Sequence, residues 1–415
     1  MTSPTALQSF IRAQESLYGP ITNISNPRNW TPPAQSGGHR GRYLWTDAFG
    51  VLNFLTLHRE HQRTSSQASR SRSRSSSSSS HQHHDYYLLL AQSLIESTHR
   101  TLGTTRDAPY TPLPNATPPT HPVAGGLRIG KQSATGPDSD GQYHHYLTLW
   151  MFALNRTALA SGEKHYNDLA VELAAAIHPH FVIHDPRSPG GLRMVWKMDT
   201  TLSKVLVGSE GNLDPLDGLV VFTLLQETDG WFRLHGGETG DGRKTPEGKK
   251  VLQEEIEDYR RIIRRKTAQA GRTGFVSRDP LDLGMAMWTA HWVLDRHHQE
   301  DWAVRMMGDC VERVDELFHQ KHYFDRETRS RLAFREFGTC LGLRCVAEHA
   351  TDKELAVEFR SYADQIVKGW EPYIWRSEGE DATPEELQPI TRVMYAAALI
   401  PGAFCRGYLG PEPVA

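Results

Sequence analysis

An all-α toroid, six helices ringed by six others, is the fold this chain predicts, and three observations predict it. Helical segments alternate between charged-amphipathic and almost wholly apolar ones, six of each. Each apolar segment opens on a polar or charged head, most of them beside a small or turn-forming residue. No block of strand-like alternation competes with the helical periodicity, apart from short pieces in the long loops. A helix with one apolar stripe belongs on an outer layer, whereas one apolar around most of its circumference must be walled in by other helices. Six walled-in helices with polar heads suggest an inner ring whose hydrophilic ends gather at one mouth.

The chain in order supports this reading. Thr5 to Tyr18 is a first outer-type helix, stopped by Gly19-Pro20. A turn-rich stretch follows, and Tyr43 to His58 is apolar on most faces, with Asp47 near its head. Residues 59–84 (REHQRTSSQASRSRSRSSSSSSHQHH) carry too little apolar surface to order themselves and are expected to form a disordered insertion. Its His81, His83 and His84 have no ordered frame on which to hold a metal. Tyr86 to Leu102 is outer-type. Thr104 to Pro137 is a long loop containing Gly125-Gly126-Leu127-Arg128-Ile129-Gly130-Lys131, and long loops inside compact domains tend to be functional. Gln142 to Leu159 is inner-type and Lys164 to His180 outer-type. Between them and the next helix lies Leu192-Arg193-Met194-Val195-Trp196-Lys197-Met198-Asp199, either a short strand or an active-site loop.

Leu216 to Leu225 is inner-type, with Asp214 placed to cap it and Pro215 suited to the first helical position. Glu247 to Lys266 is outer-type, and Leu281 to Val293 repeats the Asp-Pro opening at Asp279-Pro280. Asp301 to Phe318 (outer), Leu332 to Val346 (inner, headed by Arg335 and Glu336), Lys353 to Trp370 (outer) and Thr391 to Ile400 (inner, headed by Arg392) close the series. Repeat lengths are too uneven and loops too long for a regular helical solenoid. The alternation runs through the whole chain, so residues 1–415 are expected to form one domain.

Composition limits the function. A net charge of −3 gives no electrostatic case for nucleic acid or a membrane surface. No apolar run approaches the ~18–20 residues a membrane helix needs, and the first thirty residues lack a signal-peptide core. The four cysteines, Cys310, Cys340, Cys345 and Cys405, lack metal-binding spacing and suit a reducing compartment. The expectation is a cytoplasmic protein with no metal, no cofactor and no nucleic-acid or membrane partner. Its oligomeric state is left open.

With its alternation, polar helix heads and aromatic content, the stretch from Thr5 to about Ile400 resembles the six-hairpin glycosidase-like superfamily. That resemblance implies an (α/α)6 barrel with its substrate site in the funnel at one end. It also implies carbohydrate chemistry, mostly inverting glycoside hydrolysis, although sugar epimerases and lyases share related toroids. Fold alone does not fix the reaction.

In a ring of evenly spaced helices, heads three repeats apart face one another. Asp47 would oppose Asp282, Asp140 would oppose Glu336, and the Asp214/Asp217 pair would oppose Arg392. Glycoside hydrolysis by inversion needs one carboxylic acid and one carboxylate roughly 6.5–9.5 Å apart. Asp140 and Glu336 are the first choice for that pair, with Asp282 and Asp217 next. Asp47, Arg42, Arg128, Lys131, Tyr143, His144, Trp196, Lys197, Asp214, Arg335 and Arg392 are candidates to bind a small-molecule or oligosaccharide substrate. Capping explains Asp214 and Asp279 without any site, and a first-turn carboxylate is favoured by the helix dipole in any case. His144 and His145 are adjacent, hence on different faces, so one of them at most is expected to reach the mouth. The leading reading is a glycoside hydrolase. The alternatives are an epimerase, lyase or dehydratase/isomerase using His144 or Tyr143 as base, and a non-catalytic helical scaffold.

Overall fold

The computed structural model describes residues 3–34, 41–71, 85–136, 138–186, 191–235, 250–270, 275–294, 301–376 and 383–413. Among them are twelve α-helices: α1 (Pro4–Tyr18), α2 (Leu44–Ser71), α3 (Tyr86–Leu102), α4 (His144–Ser161), α5 (Lys164–Phe181), α6 (Asp214–His235), α7 (Gln253–Ala270), α8 (Pro280–His291), α9 (Asp301–Val314), α10 (Ala333–His349), α11 (Lys353–Trp370) and α12 (Gln388–Leu399). The even-numbered helices form the inner ring. In order around it, α2 packs on α4, α4 on α6, α6 on α8, α8 on α10, α10 on α12, and α12 back on α2. Each odd-numbered helix lies outside, α1 against α12 and the others against the inner helices beside them in sequence. The alternating pattern thus becomes a closed double ring, and none of the described helices is long and apolar enough to cross a membrane.

Local signals set several boundaries. Ser3 caps α1 by accepting from the Ala6 amide at 3.1 Å, Pro4 occupies the first helical position, and the chain leaves at Gly19 with φ 76°. Asp352 caps α11 through the amides of Glu354 (2.9 Å) and Leu355 (3.1 Å). Gly162 ends α4 in the left-handed region, φ 74°, where a side chain is strained. The inner helices are buried nearly all round: thirteen of the eighteen residues of α4 are buried, Trp150 and Phe152 completely.

Two inner helices meet backbone to backbone. A Cβ at Gly284 of α8 would lie 2.1 Å from the Gly338 carbonyl oxygen of α10, and one at Gly342 would lie 2.2 Å from the Gly284 carbonyl oxygen. Both obstacles are backbone and cannot swing aside. Gly284→Ala is therefore expected to part the two helices and cost about 1–3 kcal/mol, read as a lower urea midpoint.

The ring is closed at the end away from the inner N-termini by the C-terminal segment. Phe404 packs among Phe49 (ring centroids 4.7 Å apart), Phe152 and Trp288, and its carbonyl accepts from the Trp288 indole at 3.1 Å. The Ala403 amide is held by Thr56 Oγ1 at 3.0 Å.

Three departures from expectation have physical causes. Helix α2 does not stop near His58 but runs to Ser71, so the first half of the Ser/Arg-rich tract is helical; Glu60 and Arg63 pair one turn apart within it. Residues 72–84, with the histidine cluster, lie outside the described residues, as do His39 and Arg40, which by their place just before the first inner helix are further candidates for the rim. Helix α6 extends ten residues past Leu225, with Asp229 ion-paired to Lys164 at 3.1 Å and to Arg233. Gln142–Tyr143 is a short strand, β1, instead of the first turn of α4. It pairs antiparallel with β4 (Lys197–Met198), which pairs with β5 (Val205–Val207); β2 (Val182–His184) and β3 (Leu192–Met194) form a second small sheet. These sheets fix the 181–213 connection across one end of the ring.

Candidate active site

The inner helices present their N-terminal ends to one cavity of about 630 Å³. Every inner helix contributes to its wall: Trp45 from α2, His145, Tyr146 and Thr148 from α4, Asp214 and Asp217 from α6, Asp282 and Trp288 from α8, Phe334 and Arg335 from α10, and Ile390 from α12. Loop residues complete it: Tyr43 before α2, Lys131 and Asp138 from the long loop, Trp196 and Glu210–Leu213 from the sheet connection, and Glu386 before α12. The wall is aromatic on one side, where Tyr43 and Tyr146 share a 2.5 Å hydroxyl contact and Tyr146 packs against Trp45.

The chemistry concentrates on α4, α6 and α8, neighbours in the ring. Asp214, the first residue of α6, turns its carboxylate to two histidines: Oδ1 lies 3.5 Å from His144 Nδ1 and 3.4 Å from His145 Nδ1. The Gly211 position leaves room for this, since a Cβ there would sit 1.8 Å from Asp214 Oδ2. Burial alone would raise the Asp214 pKa, but the two imidazoles outweigh it and hold the carboxyl well below its usual range. His145, whose side chain is 32% exposed, faces the cavity. Burial opposes its protonation, but Asp214, with Asp217 and Asp282 behind it, prevails, and its pKa rises. His144 is fully buried, and its pKa falls because desolvation outweighs Asp214. Two adjacent histidines on one carboxylate are thus driven apart, one toward the imidazolium and one toward the neutral ring.

Asp217, one turn along α6, accepts from Thr289 Oγ1 at 2.7 Å. Burial, reinforced by Asp214 and Asp282, pushes its pKa up to about 7 despite that hydrogen bond and His145. Asp282 is also raised, by burial first and by Asp279 second. Asp279 is the N-cap of α8: its Oδ1 accepts from the amides of Leu281 (2.9 Å) and Asp282 (3.3 Å), and Arg335 pairs with its other oxygen. The cavity's two other cationic side chains are each matched to a carboxylate, Arg335 to Asp279 and Lys131 to Asp138; burial lowers the Lys131 pKa.

Of the residues singled out from the sequence, the cavity brings together Asp217, Asp282, Asp214, Lys131, Trp196 and Arg335. The pair expected to lead, Asp140 and Glu336, does not line it. Asp140 is consumed inside the long loop: Oδ1 accepts from the amides of Gly130 (2.8 Å), Lys131 (3.2 Å) and Gly141 (3.0 Å), and Oδ2 from Arg106 (2.6 Å) and Arg128 (3.3 Å). Glu336 is fully buried and held by Arg331 through Nε (2.8 Å) and Nη2 (2.6 Å), by the Trp370 indole (2.8 Å) and by the Tyr323 hydroxyl (3.2 Å). Both carboxylates have their acceptor capacity filled by protein donors and hold loops in place.

Asp47 likewise is buried against Arg42 (3.6 Å), Tyr18 (3.2 Å) and Thr98 (3.3 Å), which takes Arg42 and Asp47 off the wall together. Arg128 reaches the carbonyls of Thr101 and Thr104, both at 2.9 Å. Arg392 bonds Gln388 at 3.0 Å and lies over Trp375, so it does not face Asp214 and Asp217 across the mouth. Tyr143 and Lys197 sit one layer back, the ammonium 4.8 Å from the Tyr143 ring centre and that ring edge-on to Trp196. The sequence favours His144, but His145 is the one on the wall. Adjacent positions differ by ~100° around a helix, and only the packing decides which of them faces inward. Glu210, Tyr43 and Tyr146 carried no sequence signal of their own.

No protein-family model matches the chain, and no curated protein matches it in sequence. Among solved structures it is similar to a family 76 glycoside hydrolase from a bovine Bacteroides thetaiotaomicron strain, at 11% identity and a TM-score of 0.52, over 95% of this chain and 77% of that one. It is also similar to a D-mannose isomerase, at 9% identity and a TM-score of 0.50, over 96% of this chain and 98% of that one. These likenesses show the fold, an (α/α)6 toroid.

Proposed function

We propose that the cavity is the active site of a carbohydrate-active enzyme that hydrolyses a small glycoside or oligosaccharide, with Asp217 as general acid and Asp282 as general base. The observation that carries this reading is that two carboxyl groups from neighbouring inner helices face one aromatic-walled cavity, and burial raises the pKa of one of them, Asp217, to about 7. An acid that keeps its proton near pH 7 can deliver it to the departing glycosidic oxygen. The second carboxylate takes a proton from a water that attacks the anomeric carbon from the opposite face. Among the described residues Trp196, the one cavity tryptophan that is only partly buried, offers an apolar face for a sugar ring. The ionised Asp214 with His145 supplies a fixed charge pair beside the reacting carbon. A volume of about 630 Å³ suits one or a few sugar units and not a polymer chain lying along an open cleft. The four cysteines, all buried and free, support a reducing, cytoplasmic setting.

A second reading has its own observation. His145 held by Asp214 is a His–carboxylate pair facing the cavity, the arrangement a base needs to move a proton at the carbon next to a sugar carbonyl. The likeness to a D-mannose isomerase gives this isomerase or epimerase reading a scaffold precedent.

Purified protein assayed against a panel of aryl glycosides and a panel of free aldoses separates the two. Hydrolysis abolished by Asp217→Asn supports the first reading. Aldose–ketose interconversion or epimerisation abolished by His145→Asn, with no glycoside cleaved, replaces it by the second. No turnover on either panel would return the chain to a non-catalytic scaffold.

A further inference from the structure

Behind the cavity wall a chain of polar side chains crosses from the outer ring to the inner. Tyr259 of α7 is fully buried, although its helix belongs to the outer layer. It reaches inward because residue 218 of α6 is glycine: a Cβ there would lie 2.4 Å from the Tyr259 ring. The hydroxyl of Tyr259 lies 2.7 Å from His144 Nε2, and the opposite nitrogen of that imidazole, Nδ1, faces Asp214. The ring is held edge-on by Phe222 and His178.

The hydrogen positions follow from donor and acceptor capacity. His144 Nδ1 and Asp214 Oδ1 are in contact at 3.5 Å without a formed hydrogen bond, and because a carboxylate can only accept, the tautomer favoured by this contact carries its hydrogen on Nδ1. Its Nε2 then offers a lone pair, and the Tyr259 hydroxyl donates to it. Burial keeps the phenol protonated and the His144 ring neutral, as this arrangement requires. One carboxylate oxygen thus meets two imidazoles, one neutral and locked from behind, the other at the cavity.

We infer that Tyr259 is a positioning residue for the candidate site: by fixing the tautomer of His144 it orients Asp214, and through Asp214 it sets the protonation of His145. The inference rests on the reading of the cavity as an active site only for its effect on turnover, because its direct consequence is a property of the histidines. The other ionisable groups around His145 are Asp217, Asp282, Tyr143 and Tyr146, and around His144 they are His178 and Asp214. None of them bonds to Nε2 of His144, so the lock depends on the one hydroxyl.

The test is Tyr259→Phe, which removes that hydroxyl and keeps the ring that Gly218 accommodates. Nitrogen-15 NMR of the histidine side chains reports tautomer and titration directly, with signals assigned by His144→Asn and His145→Asn. The expected result is a mixture of tautomers at His144 and a fall of the His145 midpoint by roughly half a unit or more, about a threefold or larger change in its protonation constant. In the His144→Asn background, whose side-chain amide can still donate to Asp214, Tyr259→Phe should add no further shift. If turnover is found, the limb of its pH profile belonging to His145 should move with the NMR midpoint. Unchanged tautomer and midpoint in a folded Tyr259→Phe would overturn the inference even if the enzyme is active. The shifts without detectable sugar turnover would uphold it and count against the proposed function. Should Tyr259→Phe fail to fold, His144→Ala decides, because it removes the group that faces Asp214, and an unmoved His145 midpoint there would refute the relay.

Discussion

Asp217→Asn is expected to lower kcat for glycoside hydrolysis by a factor on the order of 10²–10⁴, the usual worth of a general acid. The amide keeps the shape of the side chain and an acceptor for Thr289 Oγ1, now 2.7 Å away, so the loss should come without loss of fold. The same substitution should alter the pH dependence of stability in a definite direction. The Asp217 pKa is raised to about 7 in the folded protein, against ~3.9 in an unfolded chain. Between those values the folded state holds a proton that the unfolded chain has released, so wild-type stability falls as pH rises from about 4 to about 7. The full difference is on the order of 4 kcal/mol. Asp217→Asn removes that decline, and urea midpoints of the variant should exceed those of wild type at pH 8 and approach them near pH 4. A variant no more stable than wild type at pH 8 would mean that this carboxyl is not held protonated by the fold.

Glu336→Ala is expected to cost about 3–5 kcal/mol of stability. The truncation strands the Arg331 guanidinium, 9% exposed, without its carboxylate, and leaves the Trp370 indole and the Tyr323 hydroxyl without an acceptor. A buried charge deprived of its partner costs more than the pair contributes when intact, which is why the effect is large. It should be read as a fall in the urea midpoint, while the fraction that remains folded turns over substrate at the wild-type rate. A stable but inactive Glu336→Gln would contradict this and move the carboxylate into the reaction.

Much of the architecture was legible because it is written in periodicity. Twelve segments with alternating apolar coverage, and loops too uneven for a solenoid, correspond to α1–α12 and to a ring that closes between α12 and α2. The gathering of inner N-termini at one cavity was legible too, since a helix buried on all sides leaves only its ends for polar residues. The choice among the acidic heads was not. Asp140 and Glu336 looked like site residues for the same reason that Asp217 and Asp282 did, a carboxylate opening an apolar helix. What separates them lies far away in sequence: Arg106 and Arg128 for Asp140, Arg331 and Trp370 for Glu336.

Whether a carboxylate is already satisfied depends on those long-range partners, and no local pattern encodes them. The opposition of heads three repeats apart failed similarly, because Arg392 turns to its own helix and to Trp375 instead of the mouth. The acidic groups that meet come from neighbouring helices, α6 and α8. For Asp214, capping was a sufficient explanation from sequence, but the side chain faces two histidines that sit seventy residues earlier. The one hint available was Gly211, three residues ahead of it.

The central claim is that Asp217 gives its proton to a leaving group in this cavity. It is tested most directly by kcat/KM of wild type and Asp217→Asn on glycosides of one sugar with leaving groups of graded acidity. The account predicts a large deficit in the variant for poor leaving groups such as alkoxides, shrinking steadily toward none for dinitrophenolate, which departs without a proton. A deficit of equal size across the series, or no deficit at all, would contradict it.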